Sequence, residues 1–250
     1  MFIRKLEDVE GTDRFKIVLD GALHSARYLA ASDGMGFSLH VNRAKPCPPM
    51  SLWYKNHWEA NYIISGLIDI TDLTTNEKWR VGPGDLYQVG PNDLHYFEVI
   101  EHEHHLSIFC PALTGNETHD KDGSYSPSGP VPQTDQRMFL RRIEEMRDRG
   151  KGIMTADGQA NIITGLDFSD GMGFGFSDTK FIAGAKTEHC DNQNLLSNYI
   201  VSGTGTVESL ASGKVWRLEP DITFNVEPKE HYRINAETDL HLACVLCPAI

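Results

Sequence analysis

The sequence predicts an all-β protein made of two tandem modules, each a small barrel or sandwich. Three observations carry that expectation. Whole segments recur at one fixed spacing. Short runs rich in β-branched and aromatic residues are divided by turn residues. A single Ser/Pro/Gly-rich stretch lies between the two copies.

The repeat comes first because it sets the organisation. Met1-Phe2-Ile3-Arg4-Lys5-Leu6-Glu7 returns as Met138-Phe139-Leu140-Arg141-Arg142-Ile143-Glu144. Asp33-Gly34-Met35-Gly36-Phe37 returns as Asp170-Gly171-Met172-Gly173-Phe174, and Asn61-Tyr62-Ile63-Ile64-Ser65-Gly66 as Asn198-Tyr199-Ile200-Val201-Ser202-Gly203. Cys110-Pro111-Ala112 returns as Cys247-Pro248-Ala249. Every pair is 138 − 1 = 137 positions apart. An offset held over that span marks a duplicated unit whose copies share a fold. Thr118 to Pro132 holds the Ser, Pro and Gly residues and reads as a linker. The modules are therefore 1–132 and 133–250.

Within the first module, Glu59 to Ile64, Leu67 to Asp72, Lys78 to Val81, Asp85 to Val89, His95 to Ile100 and Leu106 to Phe109 read as strands. Ser65-Gly66, Thr74-Thr75-Asn76, Gly82-Pro83-Gly84 and Gly90-Pro91-Asn92 divide them. Many short strands with regular punctuation suggest a barrel or sandwich. Only Leu140 to Arg149, short and highly charged, reads as helix.

Bulk properties narrow the function. The 250 residues suffice for a sizeable core. A net charge of −12 argues against nucleic acid and anionic membrane surfaces as partners. No apolar run is long enough to span a bilayer, and the first residues lack the apolar core of a signal peptide. Five cysteines make a disulfide framework improbable. The expected location is cytoplasmic.

The candidate chemistry lies in Trp53-Tyr54-Lys55-Asn56-His57-Trp58-Glu59 and in Tyr87 to His95. A lone glutamate on a strand more often faces solvent. The second copy changes that reading. At the repeat offset Glu59 becomes Leu196, His57 becomes Asn194 and Tyr87 becomes Phe224, while His95 aligns with His231 after a one-residue deletion. An apolar residue opposite Glu59 marks an inward position. The polar groups are absent together from one copy, so the first module carries the active site and the second is degenerate, without metal.

The first module resembles ectoine synthase, a member of the cupin superfamily. The resemblance runs through Arg27, Asp33-Gly34-Met35-Gly36-Phe37-Ser38-Leu39-His40, Tyr54-Lys55-Asn56-His57-Trp58-Glu59-Ala60, Glu77, Gly84-Asp85-Leu86-Tyr87 and His95-Tyr96. It continues through Phe109, Pro111, Leu113-Thr114-Gly115, Glu117 and His119-Asp120. It implies a cupin-type jelly-roll barrel, and the repeat makes two in tandem. Because the resemblance implies a single-module homodimer, the second barrel is expected to take the partner's place as a pseudo-dimer within the chain, in a monomer or a homo-oligomer. It implies a metal held by Glu59, Tyr87 and His95, with Fe(II) expected and Mn(II) or Zn(II) compatible with the donor set. It implies ring closure of N-γ-acetyl-2,4-diaminobutyrate to ectoine with loss of water. Substrate contacts fall on Tyr54, His57, Phe109, Glu117, His119 and Asn42, and proton transfer on Glu117, His119 and His57.

Two positions depart from the family: Leu23 stands where it usually has tryptophan, and Asn42 where it usually has threonine. Both would touch the substrate. A related ring closure or ring-opening hydrolysis of another N-acyl diamino acid stays open, as do an Fe(II) dioxygenase and a non-catalytic solute binder. Glu101-His102-Glu103-His104-His105 has the composition of a metal tract but reads as a solvated hairpin turn. Cys244 and Cys247 have the spacing of a zinc knuckle but read as core residues.

Overall fold

In the computed structural model, which describes residues 1–18 and 21–248, the strands predicted in the first module form at nearly the expected bounds. Ala249, the last residue of the repeat match, lies outside the described residues. In chain order the strands are β1 (Phe2–Lys5), β2 (Phe15–Val18), β3 (Leu23–Leu29), β4 (Ser38–Ala44), β5 (Cys47–Leu52), β6 (Trp58–Ser65), β7 (Ile68–Asp72), β8 (Lys78–Val81), β9 (Asp85–Val89), β10 (His95–Val99) and β11 (Glu103–Cys110). The second half begins with β12 (Phe139–Arg142) and the helix α1 (Ile143–Asp148). It continues with β13 (Ile153–Met154), β14 (Ala160–Leu166), β15 (Gly175–Phe181), β16 (Lys186–His189), β17 (Asn194–Ser202), β18 (Gly205–Ser209), β19 (Val215–Leu218), β20 (Ile222–Val226), β21 (Tyr232–Ala236) and β22 (Leu240–Pro248).

The chain forms two compact units. One comprises Val9–Glu144 with Ser169–Gly173. It has a seven-stranded sheet, β12-β9-β6-β11-β4-β3-β2, and a four-stranded sheet, β5-β10-β7-β8. The other comprises Met1–Asp8, Glu145–Phe168 and Phe174–Ile250. Its sheets run β1-β20-β17-β22-β15-β14-β13 and β16-β21-β18-β19, the same order one repeat later. Each unit is thus a jelly-roll of one larger and one smaller antiparallel sheet.

The units do not follow the expected division at residue 132. The repeated segments at Met1 and Met138 exchange places. β12 pairs with β9, Leu140 opposite Tyr87, and β1 pairs with β20, Ile3 opposite Phe224. The expected helix from Leu140 is corrected accordingly. Its first residues are strand, because β9 offers a free edge, and the helix starts only at Ile143.

The Thr118–Pro132 stretch is also corrected. It is a strap docked on its own unit. Asn56 Nδ2 donates to the Tyr125 carbonyl at 2.8 Å and Trp58 Nε1 to the Pro132 carbonyl at 2.8 Å. Lys55 pairs with Asp122. Gly123, at φ 74°, lets the strap pass where a Cβ would lie 2.5 Å from the Ser51 carbonyl oxygen.

Both cores lie between their sheets. In the first unit Ile63, Ile68, Ile70, Val81, Val89, Phe97 and Val99 pack together. In the second, Ile200, Val207, Leu218, Phe224, Val226, Ile234 and Leu242 do so. All five cysteines are free thiols. No helix among the described residues is long and apolar enough to cross a membrane.

Candidate active site

Side chains alternate across a strand, so cross-strand register decides which groups share a face. On the seven-stranded sheet of the first unit Tyr87 lies opposite Asn61, Asn61 opposite Ser107, Ser107 opposite His40 and His40 opposite Arg27. The next row places Glu59 opposite Phe109. From the facing sheet His95 comes in on β10. These residues line one cavity of about 140 Å³. Leu23, Met50 and Leu52 give it an apolar side.

Burial defines the chemical state of the three candidate ligands. His95 is 1% exposed and its Nδ1 lies 3.0 Å from the Asp93 carbonyl oxygen. That contact fixes the ring proton on Nδ1 and leaves the Nε2 lone pair free, and Nε2 has no hydrogen-bond partner. Burial lowers the His95 pKa to about 4, so the ring is neutral, as a metal ligand must be. Burial pushes the Glu59 carboxyl up to about 7 and the Tyr87 phenol well above its usual value. A nearby cation would favour the ionised form of both. A carboxylate, a phenol and an imidazole with a vacant nitrogen fit a divalent metal with a preference for oxygen. Among the described residues no three His, Cys, Asp or Glu side chains are placed to hold a metal ion.

The predicted substrate and proton-transfer residues divide into three groups. Tyr54, Phe109, Glu117, His119 and Asn42 all line the cavity. His119 Nε2 lies 3.2 Å from the Tyr54 hydroxyl, and its ring stacks on Tyr125 with centroids 4.4 Å apart. Burial, then the Arg27 charge, lower its pKa to about 4, leaving a neutral imidazole. Glu117 is different. Burial alone would raise its pKa, but the backbone N–H groups of Thr114 and Gly115 donate to its carboxylate at 2.6 and 2.9 Å and hold it below the usual range. It is a fixed anion 3.9 Å from Arg27. His57 does not line the cavity. It sits behind Phe109 and Tyr125, edge-on to both, with Nε2 2.9 Å from Ser128 Oγ.

The family described as ectoine synthase matches residues 1–129 and again residues 138–250. The chain belongs to the ectoine synthase family. The L-ectoine synthase of Desulfatibacillum aliphaticivorans is 40% identical over 125 residues, which is 50% of this chain and 96% of that protein. That of Halomonas elongata is 36% identical over 128 residues, 51% of this chain and 93% of that protein. Among solved structures, a mutant of Bacillus subtilis oxalate decarboxylase superposes with a TM-score of 0.68 at 14% identity, over 100% of this chain and 78% of its own. Protein Ylba from E. coli gives 0.68 at 11% identity, over 98% and 90%. These two likenesses are of fold, and they extend the two-barrel architecture over the full chain.

Within this ectoine synthase family member the second unit has the same registers with different residues at the candidate ligand positions. Leu196 lies opposite Val226 as Glu59 lies opposite Val89, and Phe224 takes the place of Tyr87. The expected match of His95 with His231 is corrected. Tyr232 pairs with Ser209 and His189 as His95 pairs with Asp72 and Leu52, and Tyr232 is buried while His231 is exposed. No deletion intervenes, so the offset of 137 persists and the histidine is replaced.

The Glu101–His105 tract is corrected too. The turn covers Glu101 and His102, but β11 starts at Glu103, and Glu103 and His105 are buried at 3% and 4% exposure. His105 lines the cavity. The strand period of two was the available signal. Tyr125 and Arg27 were also missed as cavity residues; Arg27 is buried, its Nε has no partner, and its other nitrogens bind the Gly115 and Glu117 carbonyls.

Proposed function

We propose that the Val9–Glu144 unit is a metal-assisted cyclodehydratase that closes N-γ-acetyl-2,4-diaminobutyrate, or a close N-acylated diamino acid, into a cyclic amidine with loss of water. One observation carries this reading. In a member of the ectoine synthase family, Glu59, Tyr87 and His95 line, from two facing sheets, the same cavity as Tyr54, Phe109, Glu117 and His119.

Glu59, Tyr87 and His95 would hold the metal, Fe(II) by expectation. When bound, it supplies a Lewis acid for the amide oxygen. The remaining residues perform the rest. The buried Arg27 cation, with its free Nε, suits the substrate carboxylate. The Phe109, Tyr54 and Tyr125 rings, packed within 5.7 Å of one another, form an aromatic wall that folds the open chain and brings the α-amine to the amide carbon. The neutral His119 imidazole carries one proton from the attacking amine to the amide oxygen on addition and a second from the same nitrogen on elimination, with the Tyr54 hydroxyl orienting the ring. Two amine hydrogens and the amide oxygen leave as water. Glu117, held ionised, offsets the charge of Arg27. His57 supports the wall from behind.

The test is incubation of the iron-loaded full chain with N-γ-acetyl-2,4-diaminobutyrate without oxygen, with chromatography for the cyclic amidine. The reading predicts product from wild type and none from Glu59→Ala. Absence of product from folded, metal-loaded wild type would contradict it for this substrate.

A further inference from the structure

One wall of the cavity holds a chain of buried polar side chains that the proposed reaction does not use. Glu103 Oε2 lies 2.6 Å from His105 Nδ1. Asn42 Nδ2 lies 3.0 Å from His105 Nε2 and donates to Ser107 Oγ at 2.9 Å. Ser107 Oγ donates to Asn61 Oδ1 at 2.6 Å. All five residues are at most 5% exposed. Asn42, His105, Ser107 and Asn61 line the cavity. The chain is incomplete, because Asn42 Oδ1, an acceptor, has no partner, and Asn61 Nδ2, a donor, has none at full hydrogen-bond geometry and faces only the neighbouring Glu59 carboxyl. Buried polar groups are paired in nearly all cases, and an unpaired one calls for an explanation.

The fold itself does not need this wall. At the same positions of the second unit Leu240 replaces Glu103, Leu242 replaces His105, Cys244 replaces Ser107 and Thr179 replaces Asn42. The register is identical, Thr179 opposite Leu242 as Asn42 is opposite His105. Leu240 and Leu242 pack into that unit's apolar core. Asn61 alone keeps its type, as Asn198. The polar wall therefore belongs to the copy that also carries the candidate ligands, and ligand recognition accounts for it where folding does not.

We propose that Asn42, His105 and Ser107, braced by Glu103, select a substrate with one further neutral hydrogen-bonding group, so that the preferred ligand is a hydroxyl-bearing N-acylated diamino acid. This rests on the reading of the cavity as a diamino-acid site. A hydroxyl is the smallest group that both donates, here to Asn42 Oδ1, and accepts, here from Asn61 Nδ2. A charged group is disfavoured at this wall, because Glu103 is already engaged by His105 Nδ1 and a further charge would be buried without a counter-ion. The opposite side of the cavity, Leu23, Met50 and Leu52, offers no competing polar contact.

The experiment compares N-acylated diaminobutyrates with and without a hydroxyl, each positional isomer in turn, on the metal-loaded full chain. It reads kcat/KM by competition and the Kd of the matching cyclic amidines by calorimetry. Wild type should favour one hydroxylated isomer by about a hundredfold or more, the discrimination expected of a site built to pair a hydroxyl. In Asn42→Thr and in Asn42→Thr/His105→Leu, checked for folding by thermal melting, the ratio should narrow to within about threefold. Should the double variant not fold, the wild-type and Asn42→Thr ratios decide. A wild-type ratio near one in binding, or a ratio the variants leave unchanged, overturns the proposal. Turnover without preference defeats the wall and leaves the reaction standing. Preference in binding without turnover defeats the reaction and leaves the wall.

Discussion

Tyr87 and Phe224 stand at equivalent points of equivalent sheets and differ by one oxygen atom. Phe224 shows that the position accepts a phenyl ring in a packed core. Tyr87→Phe should therefore leave the melting temperature within a few degrees of wild type while removing the proposed ligand oxygen, and metal affinity should fall by about a hundredfold or more, since even outer contacts at metal sites are worth 10- to 100-fold. Equilibrium dialysis against a metal indicator checks this. His119 makes a second residue-level prediction. Its pKa is about 4 when folded against 6.5 for the free side chain, so between those values the unfolded chain takes up a proton that the folded chain refuses. Stability is full above pH 6.5 and declines as pH falls towards 4, by about 3 kcal/mol from this residue alone. Urea unfolding across that window should show a shallower pH slope for His119→Gln. At this scale Glu59 and Tyr87 were legible because the two copies differ there. His105 was not, because a Glu/His tract resembles a turn until the strand start at Glu103 sets the alternation.

The strap from Thr118 to Pro132 shows what composition alone conveys at the level of elements. Ser, Pro and Gly signal the absence of regular structure. They do not separate a free linker from a segment docked by hydrogen bonds to Asn56, Trp58 and Lys55. Only the aromatic Tyr125 in its midst hinted at burial. Gly123→Ala should detach this strap. Its φ of 74° is strained for alanine, and the added Cβ would meet the Ser51 carbonyl at 2.5 Å and Leu52 Cα at 2.9 Å. The expected result is faster proteolysis within 118–132 and a raised KM, at a stability cost of about 1–3 kcal/mol. β12 teaches the same lesson. Its residues Leu140, Arg141 and Arg142 suit a helix by propensity, yet the open edge of β9 draws them into the sheet.

For the whole molecule, the duplication was plain from the constant offset, and with it the shared topology of the two units. The exchange of the first strands was not, because a repeat in sequence carries no record of which sheet edge each copy joins. A fragment ending at residue 132 lacks β12 and leaves the β9 edge beside Tyr87 unpaired, whereas one ending at residue 144 retains it. The longer fragment should unfold cooperatively in thermal melts and the shorter should aggregate or melt without a clear transition. The central claim is that one unit of the two carries a metal centre and the other is built over in apolar residues. The most direct measurement is the iron content of the desalted full chain after anaerobic loading with Fe(II), alongside Glu59→Ala. The account predicts one iron per chain in wild type and none in the variant. Two irons per chain, or one retained by Glu59→Ala, would contradict it.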